Sequence, residues 1–179
     1  MVKRLQNGDK AAARDFYSLY ADKLAGICSR YMSDDEDLKD VFQDAFIQIL
    51  THINDFDYQG AGSLQAWAAK IVVNQSLKFL RSKQHQEFVK LDFDLTDESQ
   101  DDDPPVSDIP PDIIRQMLSL LPVGYRTVFN LYVFEGKSHK EIADMLGIKA
   151  DSSASQLHRA KNMLAKMIRE YNNGNTPRQ

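Results

Sequence analysis

The sequence has few of the residues that usually build catalytic or metal sites. It contains a single cysteine, Cys28, so a disulfide within the chain is excluded, and the apolar helical pattern around it predicts a buried structural thiol. The four histidines are scattered without the close spacing of a zinc site, and no glycine-rich phosphate-binding loop occurs. These absences predict a protein that is not an enzyme and that carries no metal and no cofactor.

Long apolar runs are also missing. No stretch of about 18 apolar residues occurs, and the first residues lack the apolar core of a signal peptide. We therefore expect a soluble cytoplasmic protein that does not insert into a membrane.

Charge is distributed unevenly along the chain. The formal net charge is −4, but residues 88–112 alone hold nine acids and one lysine, so the remainder carries +4. Residues 113–179 hold ten bases against five acids, while residues 34–57 hold eight acids and one lysine. Such a separation predicts distinct faces for distinct partners, which the net charge alone would hide.

Apolar residues recur every three or four positions through residues 16–31 and again through residues 38–53. A third helix is predicted from about Ser63, with Leu64, Trp67 and Ile71 facing inward. No strand-type alternation of any length is present, so the sequence predicts an all-α fold.

A helix-turn-helix pattern lies near the C-terminal end. Ser138 and Glu141 have the spacing of a capping box, and Gly147 follows where the short helix must stop and turn. Asp151 or Ser152 is predicted to cap the second helix, which could enter a DNA major groove. The alternative is a helical hairpin that binds no ligand.

Two segments carry a more specific resemblance. Residues 121–148 read LPVGYRTVFNLYVFEGKSHKEIADMLGI, and residues 8–83 include GDKAAARDFYSLYADKL, DEDLKDVFQDAFIQIL and FDYQGAGSLQAWAAKIVVNQSLKFLR. These segments resemble region 4 and region 2 of the extracytoplasmic-function (ECF) sigma factors, group 4 of the sigma-70 family of bacterial RNA polymerase sigma factors. The resemblance covers most of the chain in the expected order.

The resemblance implies two small helical domains joined by an acidic flexible linker. Region 2 is expected over residues 1–87, an acidic, proline-rich linker over 88–112, region 4 over 113–172 and a disordered tail over 173–179. The two proline pairs and the like charges of 88–112 argue independently against a packed element there. In the family, the equivalent linker threads the polymerase cleft toward the RNA exit path.

The implied function is to direct core RNA polymerase to promoters and to assist DNA melting at initiation. The expected partners are core RNA polymerase, through its clamp helices and flap, and promoter DNA; an anti-sigma factor is a further candidate. The expected location is the cytoplasm, at the nucleoid. An alternative of another class is a stand-alone helix-turn-helix regulator, which leaves the first domain and the linker unexplained.

The resemblance assigns the polymerase anchor to the second helix. The residues that would contact the basic clamp helices are Asp37, Asp40, Gln43 and Asp44. Composition alone would make this polar face a solvated surface.

The loop before the third helix, residues 58–63, resembles the family segment that captures a base flipped from the non-template strand of the −10 element, and the third helix itself would bind promoter phosphates. The candidate residues are Tyr58, Ser63, Trp67, Lys70, Asn74, Lys78 and Arg81. Two alternatives stay open: Trp67 belongs to the core, and Asn74 only bonds the junction between helix and loop. The loop lacks the basic residues that are common in the family.

The second helix of the helix-turn-helix would read the −35 element. The candidate residues are Ser152, Ser153, Ser155, Gln156, His158, Arg159 and Lys161. Ala154 stands where the family often has a basic residue, and Asp151 adds negative charge near phosphates. This departure favours either a divergent −35 preference or a weakened one, in which a separate DNA-bound protein tethers the chain.

Overall fold

The structure, a computed structural model, describes residues 1–90 and 109–174, with the backbone alone for residues 84–90. The described residues form helices and no strand, so the predicted all-α fold is confirmed. The chain divides after Ser82 into two compact units, which we call unit 1 (residues 1–82) and unit 2 (from residue 83 on).

Unit 1 contains α1 (Val2–Gln6), α2 (Lys10–Cys28), α3 (Asp35–Thr51), a 3-10 turn (Ile53–Asp55) and α4, which begins at Ser63. Aspartates start the two middle helices, because a carboxylate can accept hydrogen bonds from the free amides of a first turn. Asp9 accepts from Ala11 N at 2.8 Å, and Asp34 accepts from Glu36 N at 2.9 Å.

The core of unit 1 is formed by the apolar stripes that the periodicity predicts. Its most buried side chains are Phe16, Leu24, Cys28, Tyr31, Val41, Ala45, Ile49, Ala68 and Val72. The predicted buried thiol is confirmed: Cys28 is fully buried, its Sγ lies 3.7 Å from Ser76 Oγ, and burial raises its pKa. Leu64 faces inward as predicted, but Trp67 and Ile71 are only half-buried, because α4 turns them toward the edge of its buried face.

The described residues overlap both ends of the segment 88–112, which the sequence predicts to be a linker. Helix α4 spans Ser63–Lys90 and so enters the segment 88–112, while Ile109 is buried and α5 begins at Pro111. The charge run marks a composition and not the points where helices end, and the bounds of the linker stay a prediction. Residues 91–108 and 175–179, the rest of the predicted linker and tail, lie outside the described residues.

Unit 2 contains α5 (Pro111–Ser119), α6 (Val123–Val133), α7 (His139–Leu146) and α8 (Ala150–Asn172). The predicted capping box is present: Ser138 Oγ accepts from Glu141 N at 3.3 Å, and Glu141 Oε2 accepts from Ser138 N at 2.9 Å. The bond that Ser138 N donates to its carboxylate, followed by those from Lys137 Nζ and Ser138 Oγ, lowers the pKa of Glu141 to about 2. Gly147 ends α7 with φ of 70°, a left-handed conformation that glycine adopts without a steric cost.

The predicted cap of α8 was wrong. The helix begins at Ala150 after Lys149, so Asp151 and Ser152 lie inside its first turn, and no side chain caps it. The turn after α7 is too tight for a later start, since both Gly147 N and Ile148 N donate to Ala143 O.

The interior of unit 2 mixes apolar and polar side chains. Its apolar cluster contains Met117, Leu118, Leu121, Tyr125, Ala160 and Leu164. Its buried polar side chains are Arg126, Thr127, Asn130, Ser153 and Gln156. Arg126 Nη1 donates to Ser119 O at 3.0 Å, which holds the end of α5 against α6, and burial lowers the arginine pKa.

Candidate protein and nucleic-acid interfaces

The outer face of α3 is acidic and exposed. Asp40, Gln43 and Asp44 lie on this face and are exposed, whereas Asp37 in the first turn is half-buried. Ile47 continues the same face seven residues after Asp40 and exposes 52% of its surface. The face therefore combines carboxylates with an accessible apolar side chain.

An aromatic pair borders this face. Tyr17 of α2 packs edge-on against Phe46 of α3, with ring centroids 5.1 Å apart, and remains 51% exposed. Phe46 follows Gln43 by three residues, so the pair lies on the Gln43 side of the acidic face. Sequence reasoning missed both Ile47 and Tyr17; the available signal was that Ile47 falls outside the apolar stripe of α3.

A basic face runs along α4. Lys70, Asn74, Lys78 and Arg81 are all exposed and share one side of the helix, as their spacing predicts. No acid interrupts this side between residues 64 and 83. The face can follow a nucleic-acid backbone, because each lysine or arginine that neutralises a phosphate releases a counterion.

A pocket of about 330 Å³ opens where α4 passes the end of α3 and the 3-10 turn. Trp67 and Ile71 supply its apolar surface, and five polar side chains complete it. The lining residues are Gln48, His52, Asp55, Trp67, Ile71, Asn74 and Gln75. Its size suits a small planar group, and an aromatic wall with a few polar groups is typical of small-ligand sites.

The sequence left open whether Trp67 belongs to the core or contacts a base, and its position is compatible with both roles. Its ring packs against Phe56 at a centroid distance of 5.2 Å, yet it also lines the pocket. Asn74 is exposed and lines the same pocket, and among the described residues no hydrogen bond joins it to the junction of helix and loop.

The loop before α4 is held by its own hydrogen bonds. Ser63 Oγ donates to Gly60 O at 2.7 Å and accepts from Gln59 N at 3.3 Å, so this hydroxyl shapes the loop. Gly60 has φ of 109°, which favours glycine. Tyr58 is 61% exposed but does not line the pocket.

Helix α8 divides the predicted −35 residues into three groups. Ser155, His158 and Lys161 are exposed, whereas Ser152 and Arg159 are half-buried. Ser153 and Gln156 are buried at 0% and 1% exposure, so their prediction as DNA contacts was wrong. They belong to the packed side of the helix together with Leu157, Ala160 and Leu164.

Two histidines make side-chain contacts in this region, one between helices and one within α8. His139, the first residue of α7, bonds Ser153 Oγ through Nδ1 at 3.0 Å and stacks on Tyr132 of α6 at 4.8 Å. On the exposed side, Asn162 Nδ2 donates to His158 Nε2 at 3.2 Å. Sequence reasoning missed Asn162, which follows the predicted contact His158 by one helical turn.

An exposed apolar surface lies at the end of α6. Tyr132, Val133 and Phe134 are consecutive and 40%, 47% and 48% exposed. Phe134 packs edge-on against Phe129 at 6.2 Å, so the patch is anchored on the helix. Adjacent exposed apolar side chains of this kind are typical of contact surfaces.

Two family profiles and several curated relatives match this chain. The chain matches the profile described as "Sigma-70 region 2" over residues 16–86 and that described as "Sigma-70, region 4" over residues 112–164. It is 28% identical over 180 residues to the ECF RNA polymerase sigma factor SigW of Bacillus subtilis, covering 94% of this chain and 95% of that protein. The chain belongs to the ECF sigma factors.

Two further relatives align with nearly the whole of this sigma factor. The ECF RNA polymerase sigma-E factor of Haemophilus influenzae is 28% identical over 179 residues, which cover 94% of this chain and 93% of that protein. The Escherichia coli K12 sigma-E factor is 26% identical over 173 residues, covering 90% and 88%. The region 2 match, residues 16–86, lies in unit 1 except for its last four residues, and the region 4 match, residues 112–164, lies in unit 2.

Neither a metal site nor a membrane span occurs in the described part of this sigma factor. Among the side chains that the structure describes, in residues 1–83 and 109–174, no cluster of three or more His, Cys, Asp or Glu could hold a metal ion. The helices of the described residues include none that is long and apolar enough to cross a membrane.

Proposed function

We propose that this sigma factor anchors core RNA polymerase through α3 and opens the −10 element with α4, while unit 2 contacts upstream DNA and the polymerase flap. The observation that carries the proposal is the separation of an acidic, partly apolar face on α3 from a basic face and an aromatic pocket on α4. Members of the sigma family are in general not enzymes, so catalysis is assigned to the polymerase. The site of action is the cytoplasm, at the nucleoid.

The α3 face suits the basic clamp helices of the polymerase. Asp40 and Asp44 would pair with cations, which favours association and orients it. Ile47, one helical turn beyond Gln43 and Asp44, would supply an apolar anchor, and docking would displace the water around its side chain. Central apolar anchors surrounded by polar groups carry most of the energy of typical interfaces.

The pocket is proposed to receive the flipped base of the −10 element. Trp67 offers a stacking surface, and Asn74 offers an amide that can both donate and accept. Lys70 and Lys78 lie one turn before and after Asn74, so the strand that delivers the base would meet positive charge on both sides of it. Stacking and polar contacts would offset the few kcal/mol that unstacking costs.

Unit 2 is proposed to hold the flap through the apolar patch Tyr132, Val133 and Phe134, and DNA through the exposed side of α8. Ser155, His158 and Lys161 are the exposed candidates for base or phosphate contacts. Ala154 and Asp151 are exposed on the same side and contribute no positive charge. An anti-sigma factor is a further proposed partner, and it would compete for the exposed faces of α3 or α6.

A second candidate function is placement by a DNA-bound tether, favoured by the exposed Ala154 and Asp151. Tethering raises the effective concentration and so replaces missing affinity. If α8 lies in the groove, Ala154→Arg combined with Asp151→Gly is expected to raise binding to −35 DNA without any tether. Strong, selective −35 binding by the unaltered protein with polymerase alone would make the tether unnecessary.

Reconstituted transcription tests the main proposal. Purified sigma factor and core polymerase from the same bacterium are expected to form a stable complex and to start transcripts at mapped promoters. Core enzyme alone serves as the control. A chain that binds DNA but neither binds core enzyme nor directs initiation would instead be a stand-alone helix-turn-helix regulator.

A further inference from the structure

The side chain of Gln6, the last residue of α1, joins the N-terminal helix to the segment that follows α3. Its Nε2 donates to Ile53 O at 3.3 Å and to Phe56 O at 3.2 Å. The side chains of Ile53 and Phe56 are buried, and so is that of Leu5, which packs α1 onto unit 1. The amide therefore bridges two carbonyls of a segment about fifty residues away in the chain.

Those two carbonyls belong to the segment that carries one residue of the pocket lining. Asp55, which lies between them in sequence, lines the pocket directly. Phe56 packs on Trp67, whose ring is the aromatic wall, at a centroid distance of 5.2 Å. After Phe56 the chain enters the loop of residues 57–62, so the same bonds also fix the start of that loop.

We propose that Gln6 is a positioning residue for promoter melting: its amide holds the 3-10 turn and Phe56 so that the pocket keeps the shape an unstacked base requires. This inference rests on the proposed role of the pocket. Gln6 contacts neither the pocket nor the basic face, and it acts through Asp55 and Phe56. A glutamine suits this role, because its two N–H groups can bond two carbonyls at once.

Three single variants of the full chain test the proposal. Gln6→Met keeps the length and the helix propensity but removes both donors. Gln6→Glu keeps the shape but sets a carboxylate against two carbonyl oxygens. Asn7→Asp is the matched control, because Asn7 is the exposed neighbouring amide and undergoes the same change of amide to carboxylate.

Each variant is assembled with core polymerase and promoter DNA, and three quantities are measured. Permanganate reactivity of −10 thymines and the fluorescence of 2-aminopurine at successive −10 positions report melting and base unstacking. Titration of labelled sigma with core enzyme reports anchoring through α3, and thermal unfolding reports the stability of the fold.

Gln6→Met is expected to lower the open fraction about three- to tenfold, the worth of one to two neutral hydrogen bonds, and Gln6→Glu more strongly. Core affinity should stay at the unaltered value, and the unfolding midpoint should fall by only a few degrees, because the lost bonds also stabilise the folded chain. Asn7→Asp should melt DNA normally. Unchanged melting in Gln6→Met and Gln6→Glu would overturn the inference, as would a parallel loss of folding, core binding and melting. Failure of the unaltered protein to open any promoter would instead refute the proposed function.

Discussion

Replacing Ile47 with alanine is expected to weaken the binding of core polymerase, with a loss of folding stability no larger than that of a similarly exposed control residue. Ile47 still exposes 52% of its surface in the free protein, so about half of its apolar area is available for a partner to cover. Burying a whole isoleucine side chain is worth about 1.5–3 kcal/mol, and half of that is about 0.8–1.5 kcal/mol. The dissociation constant for core enzyme should therefore rise about four- to twelvefold.

A fluorescence titration of labelled protein with core polymerase measures this change, and thermal unfolding measures stability. Leu19→Ala is the matched control, because Leu19 is 58% exposed and lies two residues from Tyr17, on the opposite side of α2. It should bind core enzyme like the unaltered protein. Equal affinities for the Ile47→Ala and unaltered proteins, or equal losses in the Ile47→Ala and Leu19→Ala variants, would refute the assignment of the α3 face.

Three further predictions concern charge. Reversing Asp40 and Asp44 to lysine should abolish core binding with helicity intact, because like charges at an interface cost several kcal/mol; unchanged titrations would contradict it. Replacing Lys70 and Lys78 with alanine should lower promoter melting and should reduce the slope of log affinity against log salt by about one for each phosphate that is no longer neutralised. Permanganate footprinting across a salt series measures both quantities. An unchanged slope would show that these lysines are only a solvated face. The pKa of Glu141 is held at about 2, below its ordinary 4.5, so its contribution to stability is complete above pH 4.5 and is lost as the pH falls toward 2; urea unfolding at several pH values should show this loss, and Glu141→Gln should remove that part of the pH dependence.

Local chemistry made parts of the fold predictable from the sequence. The capping box at Ser138 and the glycine stop at Gly147 depend on neighbouring residues alone, so both were found correctly. The apolar periods of α2 and α3 likewise placed the core of unit 1, because burial follows helical spacing. The shared exposed side of Lys70, Asn74 and their neighbours followed from the same geometry.

Other features depended on tertiary packing and were missed. Ser153 and Gln156 are polar, so residue type predicted exposure, yet they fall at the helical spacing of Leu157 and Ala160 and are buried with them. The bond from His139 to Ser153 compensates part of that burial. The helix-turn-helix pattern predicts that these two helices meet, but not which side chains they bury. The bridge from Gln6 to the 3-10 turn was invisible for the same reason.

The exposed side of α8 has few groups that could read bases. Bidentate recognition of a base requires an arginine, lysine, asparagine or glutamine at the groove, and each such pair is worth about 1–3 kcal/mol of discrimination. The amide in the first two turns, Gln156, is buried, while that of Asn162 bonds His158 Nε2. Asp151 and Ala154 are the first exposed side chains on this side of the helix, so its first turns present no cation to DNA. We therefore expect selectivity for a promoter to depend more on the proposed base pocket beside α4, or on the proposed partner that holds unit 2 upstream, than on α8 alone.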